Sequence, residues 1–103
     1  MELVTLIYEE SSSFPDAEKY GLKSQIRRAA VSVPSNIAEG AARNGFKEFL
    51  QYLSISRDSL SEVETQWLIA KNLGYVKGSE TVTDQIDKVF GLIGGLMKSL
   101  KAK

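Results

Sequence analysis

Apolar residues recur along this chain at steps of three and four, which is the period of an α-helix and not of a strand. Leu3, Val4, Leu6 and Ile7 open the pattern and predict a first helix over about residues 2–12. Ser11-Ser12-Ser13-Phe14-Pro15 then stops it, since three serines and a proline break a helix. Asp16 is placed to cap a short turn leading to Tyr20 and Gly21. Leu22, Ile26, Ala29, Ala30, Val33 and Ile37 mark a second helix over about 20–43. Pro34 lies inside it and removes the bond to the carbonyl of Ala30. The helix either kinks there or stops and restarts with Pro34 as its first residue. The stripe keeps its phase from Val33 to Ile37, which favours the kink.

The third segment is the longest. Phe46, Phe49, Leu53, Ser56, Leu60, Val63, Trp67 and Ala70 follow one another at three and four, and Leu50, Leu68 and Ile69 widen the stripe. It predicts a helix over about 46–73, with Trp67 in the core and Gly74 as the residue after the C-cap. A loop through Tyr75–Ser79 leads to a last helix over about 80–101. Val82, Ile86, Val89, Phe90, Ile93, Leu96, Met97 and Leu100 form its stripe, with aspartates early and lysines late to suit the helix dipole. Gly91, Gly94 and Gly95 each weaken that helix by about 1 kcal/mol relative to alanine, and close helix–helix approach is their expected use. No segment alternates with period two. Residues 1–103 therefore read as one all-α domain, an up-and-down four-helix bundle. Its first helix spans only about 16 Å where the others span about 33–42 Å, so a stretch of apolar groove is left uncovered. Either residues precede Met1 or another subunit fills the gap.

Composition changes this picture little. With 43% apolar and 25% charged residues the chain is ordinary for a globular domain. No apolar run approaches the roughly 20 residues that cross a bilayer, and residues 1–5 do not open a signal peptide. There is no cysteine, so no disulfide framework points to export, and the cytoplasm is the expected setting. Charge is more informative. The net charge is zero, yet residues 1–18 carry −5, 19–57 carry +5, 58–70 carry −3 and 71–103 carry +3. Blocks of opposite sign can pair within a subunit, pair between subunits, or expose a basic stripe to an acidic partner.

Ordinary catalytic chemistry has little to work with. The absence of histidine and cysteine removes Ser-His-Asp and Cys-His systems, and zinc sites of thiolate or imidazole. The Glu-x-x-His of di-iron bundles and the lysine of a phosphate-cradling glycine loop are missing too. No catalytic, cofactor or metal residue is expected. Lys23, Arg27 and Arg28, within two turns, form the best basic patch. It would contact phosphates of RNA or DNA without reading bases, or bridge to acidic residues such as Glu9, Glu10 or Glu64 of another subunit. Little exposed aromatic interleaving is expected around it to stack single strands. Tyr20, Tyr52 and Tyr75 are either interface anchors or half-buried packing. Asn36, Glu39 and Arg43 share a face of the second helix, and Glu62 can meet them from the third. They read either as a polar site inside the bundle or, the favoured alternative, as a structural network that fixes register.

Residues 20–76 also carry a pattern with a likeness. Tyr20-Gly21-Leu22, Ser24-Gln25-Ile26-Arg27-Arg28-Ala29-Ala30 and Val33-Pro34-Ser35-Asn36-Ile37-Ala38-Glu39-Gly40 stand in its first half. Glu48-Phe49, Tyr52-Leu53, Ser59-Leu60, Glu62-Val63-Glu64-Thr65-Gln66 and Leu73-Gly74-Tyr75 stand in its second. The chain resembles the four-helix-bundle family that includes proteins encoded by intervening sequences in 23S rRNA genes. That resemblance implies a left-handed bundle assembling as a ring-like homopentamer, without established enzymatic activity. It also implies kinship with the strongly basic accessory protein of diversity-generating retroelements, which handles nucleic acid. Two departures stand out. Family members have a longer first helix opening on a Leu-x-Val-Trp-Gln-like stretch, and this chain is neutral where the retroelement relative is basic. The expectation is a non-enzymatic homo-oligomeric scaffold or adaptor. The alternative is a nucleic-acid-binding accessory protein that uses the basic face of the second helix.

Overall fold

The computed structural model describes residues 1–77 and 80–103, so the end of the loop expected through Tyr75–Ser79 lies outside the described residues. Four helices appear among them: α1 (Glu2–Ser11), α2 (Leu22–Ala41), α3 (Phe46–Asn72) and α4 (Glu80–Lys101). A 3-10 turn over Asp16–Glu18 precedes α2. Helix α2 packs on α1 and α3, and α4 packs on α3 and α1, while the diagonal pairs stay apart. That is a four-helix square with the α2–α3 seam as its most extensive side. No described helix is long and apolar enough to cross a membrane.

The helix ends follow from local chemistry. In the last turn of α1 the hydroxyls of Ser11, Ser12 and Ser13 donate to the carbonyls of Tyr8, Glu9 and Glu10, supplying bonds that a continuing helix would otherwise make. Asp16 does not cap the 3-10 turn with its side chain. Glu18 takes the capping role instead: its Oε1 accepts from the Leu22 amide at 3.0 Å, so α2 starts two residues later than the spacing predicts. At the far end of α3, Gly74 adopts φ 75°, while its amide donates to Lys71 O and the Tyr75 amide donates to Ala70 O. That pairing is a Schellman ending, which needs the left-handed residue that glycine provides.

Helix α2 runs unbroken through Pro34, so it does not stop and restart. The turn before the proline is supplied with extra donors. Ser35 Oγ donates to Val31 O, Asn36 Nδ2 to Ser32 O, and Ser56 Oγ, from α3, to Val33 O, each at 2.8 Å. Pro34 withholds one backbone donor and its ring crowds the preceding turn. The Pro-Ser-Asn run thus brings its own hydrogen bonds to the place where proline loosens the helix.

The core is lined by Leu3, Ile7, Ile26, Val33, Leu53, Leu60, Val63, Val82, Ile86 and Ile93, and Trp67 is 1% exposed at its centre. Leu68 and Ile69, which the spacing places on the core stripe of α3, instead face outward. Counted from Trp67 they stand about 100° and 200° around the helix, so both point away from the face that Trp67 and Ala70 bury. Phe46 is likewise more than half exposed. Helix α1 covers about 15 Å of a molecule 46 Å long. Beyond it Ile37, Leu50, Leu96 and Leu100 remain only partly covered.

Candidate nucleic-acid interface

The three basic residues singled out on α2 divide into two roles. Arg27 is committed to the fold. Its Nε donates to Ser11 Oγ at 2.7 Å, its Nη2 donates to Tyr8 O at 2.9 Å, and its guanidinium lies 4.6 Å from the centre of the Tyr8 ring. It therefore ties the end of α1 to α2. Among the described residues Lys23 and Arg28 make no ion pair. They line an open cleft of about 650 Å³ between the end of α1, the 3-10 turn and the first turns of α2. Lys19, Ser24, Tyr8 and Tyr20 share that cleft, and Asp16 is its one carboxylate.

The aromatic residues correct an expectation. Stacking surface near the basic patch is present, because Tyr20 is 88% exposed. Lys19 Nζ sits 5.5 Å from the centre of the Tyr20 ring. The signal was in the sequence: Lys19-Tyr20 stands directly before the glycine that opens α2, one turn from Lys23. What periodicity does not show is that Pro15 and the 3-10 turn fold this segment back beside α1. Tyr75, by contrast, stacks on Phe14 with ring centres 5.6 Å apart and donates to Glu18 Oε2 at 2.8 Å. Glu18 is held below the ordinary carboxylate value, first by the Leu22 amide and then by the Tyr75 hydroxyl. The Tyr75 hydroxyl is pushed up in return by the Glu18 carboxylate.

Asn36, Glu39, Arg43 and Glu62 do not form one network. Arg43 pairs with Glu39 at 3.0 Å on the surface and also donates to Tyr52 Oη at 2.7 Å. The Tyr52 phenol, ahead of the Glu39 carboxylate, pushes the guanidinium pKa up. Asn36 is turned back on its own helix, donating to both Ser32 O and Ser32 Oγ. Glu62 lies away from all three. With Arg28, Ser32, Ser59 and Gln66 it lines a second groove of about 540 Å³, across which Ser32 and Ser59 bond at 2.9 Å. At the edge of that groove Gln66 Oε1 is buried without a partner. Sequence spacing placed the residues on the right faces, but not at the right heights along α2 and α3. Among the described residues, no three carboxylates come close enough to share a metal ion.

A family model described as 23S rRNA-intervening sequence protein matches residues 1–95 of the chain. No curated protein matches it.

Proposed function

The chain belongs to the 23S rRNA-intervening sequence protein family, and from that premise we propose that it is a non-enzymatic, homo-oligomeric helical scaffold or adaptor. One observation carries the reading: the subunit leaves large apolar side chains in the open along its length. Val31, Ile55, Leu68, Ile69, Leu73 and Leu92 are all more than 40% exposed. Single exposed apolar residues are normal, but several spread over α2, α3 and α4 of a small domain give a neighbour apolar surface to bury. Five copies is the number the resemblance implies, and a cytoplasmic setting suits a chain without cysteine. Light-scattering mass after size exclusion tests it. A mass near five times the 11.4 kDa of one chain is expected, and a monomer at every concentration would sink the reading.

A second reading is favoured by a separate observation, the unpaired Lys23 and Arg28 around the tyrosine-lined cleft. In that reading the basic face of α2 contacts RNA or DNA through phosphates. The ratio of absorbance at 260 and 280 nm on the same column run, at low and high salt, tests it. Nucleic acid that co-elutes at low salt and is stripped at high salt is the expected result.

A further inference from the structure

We propose that the cleft formed by the end of α1, the 3-10 turn and the start of α2 binds one nucleotide unit, with its base stacked on Tyr20 and its phosphate on Lys23 and Arg28. The proposal rests on the basic-face reading and adds the ligand's chemistry: an unpaired aromatic ring that carries an anionic group. Cations alone would accept any acidic partner. The tyrosine is what narrows the class, because Tyr20 contributes nothing to the core at 88% exposure and still stands at the mouth of a basic cleft.

The cleft has the parts that such a ligand needs. At about 650 Å³ it lies within the roughly 300–1,000 Å³ typical of small-ligand clefts. Its wall is fixed, since Arg27 is held by Ser11 and by the Tyr8 carbonyl and its charge rests on the Tyr8 ring. That commitment leaves Lys23 and Arg28 as the cations free to meet a phosphate. Lys19 lies near the ring of Tyr20, and a cation beside a stacked base adds to the attraction of the platform. Stacking tolerates every base, so no sequence preference is expected. A duplex presents no free base face to a tyrosine and is expected to bind worse. The ring-bearing phosphate can come from a free nucleotide or from a single strand, and the competition arm below separates them.

The test is fluorescence anisotropy of a labelled single-stranded RNA of mixed sequence, about 12 nucleotides long, titrated with the full chain at low salt. Wild type is expected to bind the strand better than a hairpin duplex of the same bases. Tyr20→Ala is expected to weaken binding about 5- to 150-fold, and Tyr20→Phe to keep it. Lys23→Ala with Arg28→Ala should lower the slope of log affinity against log salt by about 0.7, the loss of the one phosphate that the two cations share on a single strand. Circular dichroism checks that these surface variants keep their helices. Unlabelled adenosine monophosphate that displaces the strand assigns the site to a free nucleotide as well; failure to displace, with the Tyr20 dependence intact, assigns it to the strand. Strand binding that ignores Tyr20→Ala, or that poly-glutamate or the duplex competes away equally well, overturns the stacking proposal and leaves the basic-face reading standing. Absence of strand binding at low salt overturns both.

Discussion

The glycines on the two sides of α3 have opposite surroundings. Gly40, on α2, lies where a Cβ would stand 2.6 Å from Tyr52 Cβ and 3.0 Å from Phe49 Cδ1. Gly91, Gly94 and Gly95, on α4, have nothing within 4 Å of the same position. The α2–α3 seam is built from small residues brought close: Ala29, Ala30, Gly40, Ser32, Ser56 and Ser59. Such residues let two backbones approach, and their hydroxyls find partners across the gap. On α4 the small residues meet nothing among the described residues, so the close helix approach expected of them does not occur there. The lesson is that a glycine in a helix is informative only when its neighbours are known. One of these glycines keeps the fold, while the other three weaken it and leave space for something outside it.

The sharpest way to break this contrast is Gly40→Val. Its Cβ cannot fit without moving Tyr52 and Phe49, and over-packing of that kind costs about 3 kcal/mol. For a domain of this size that lowers the melting temperature by about 12–24 °C. A variant that melts with the wild type would mean that the seam is loose, and the contrast would be lost. Next in size is the combined Gly91→Ala, Gly94→Ala, Gly95→Ala variant, with the opposite sign. Alanine gains about 0.8–1 kcal/mol over glycine per helical position, so the subunit should become more stable by about 2 kcal/mol or more. Unfolding followed at several protein concentrations separates that gain from any effect on assembly, since only assembly makes stability depend on concentration. If the triple variant also dissociates while its subunit gains stability, the α4 face is a subunit contact. If the subunit itself loses stability, these glycines have steric neighbours after all.

A smaller test compares two serines on α3. Ser56 is fully buried and donates to Val33 O across the seam. Ser61 is exposed and donates only to Arg57 O of its own helix. Ser56→Ala should cost about 1 kcal/mol, the usual net value of a buried hydrogen bond. Ser61→Ala should change stability by less than about 0.5 kcal/mol. Equal effects in urea unfolding would show that bonds across the seam have no special weight.

The helices were legible because an apolar stripe with period 3.6 is a one-dimensional signal. Their extents came out within about two residues, and Gly74 could be assigned from its place after the stripe. The corners were harder. That Glu18 and not Asp16 starts α2 depends on how the 3-10 turn folds, which no periodicity reports. The site was half legible: Lys23, Arg27 and Arg28 share two turns in any helix. That Arg27 is committed to α1 depends on Tyr8 and Ser11, residues 19 and 16 positions away. Glu62 was misplaced for a related reason. Spacing fixes the angle of a residue about its helix, but not the height at which two helices meet.

The smallest effect concerns the other end of the seam, where Glu18 and Tyr75 join the start of α2 to the end of α3. The Glu18 carboxyl is lower in the folded chain than its ordinary value, so folding is favoured by its ionised form. That contribution is complete above the ordinary carboxylate value and is lost as pH falls through the lowered one. Tyr75 has the reverse sign. Its hydroxyl is raised, so its contribution is complete below the ordinary tyrosine value and fades as pH rises through the raised one. The pair should therefore hold from mildly acid to mildly alkaline pH and release at both extremes. Glu18→Gln is expected to flatten the acid limb of melting temperature against pH, and Tyr75→Phe the alkaline limb. Both groups are open to solvent, so the change on either limb should be small beside that of Gly40→Val. An acid limb that Glu18→Gln leaves untouched would show that the Glu18 carboxylate does not help to close this end of the α2–α3 seam.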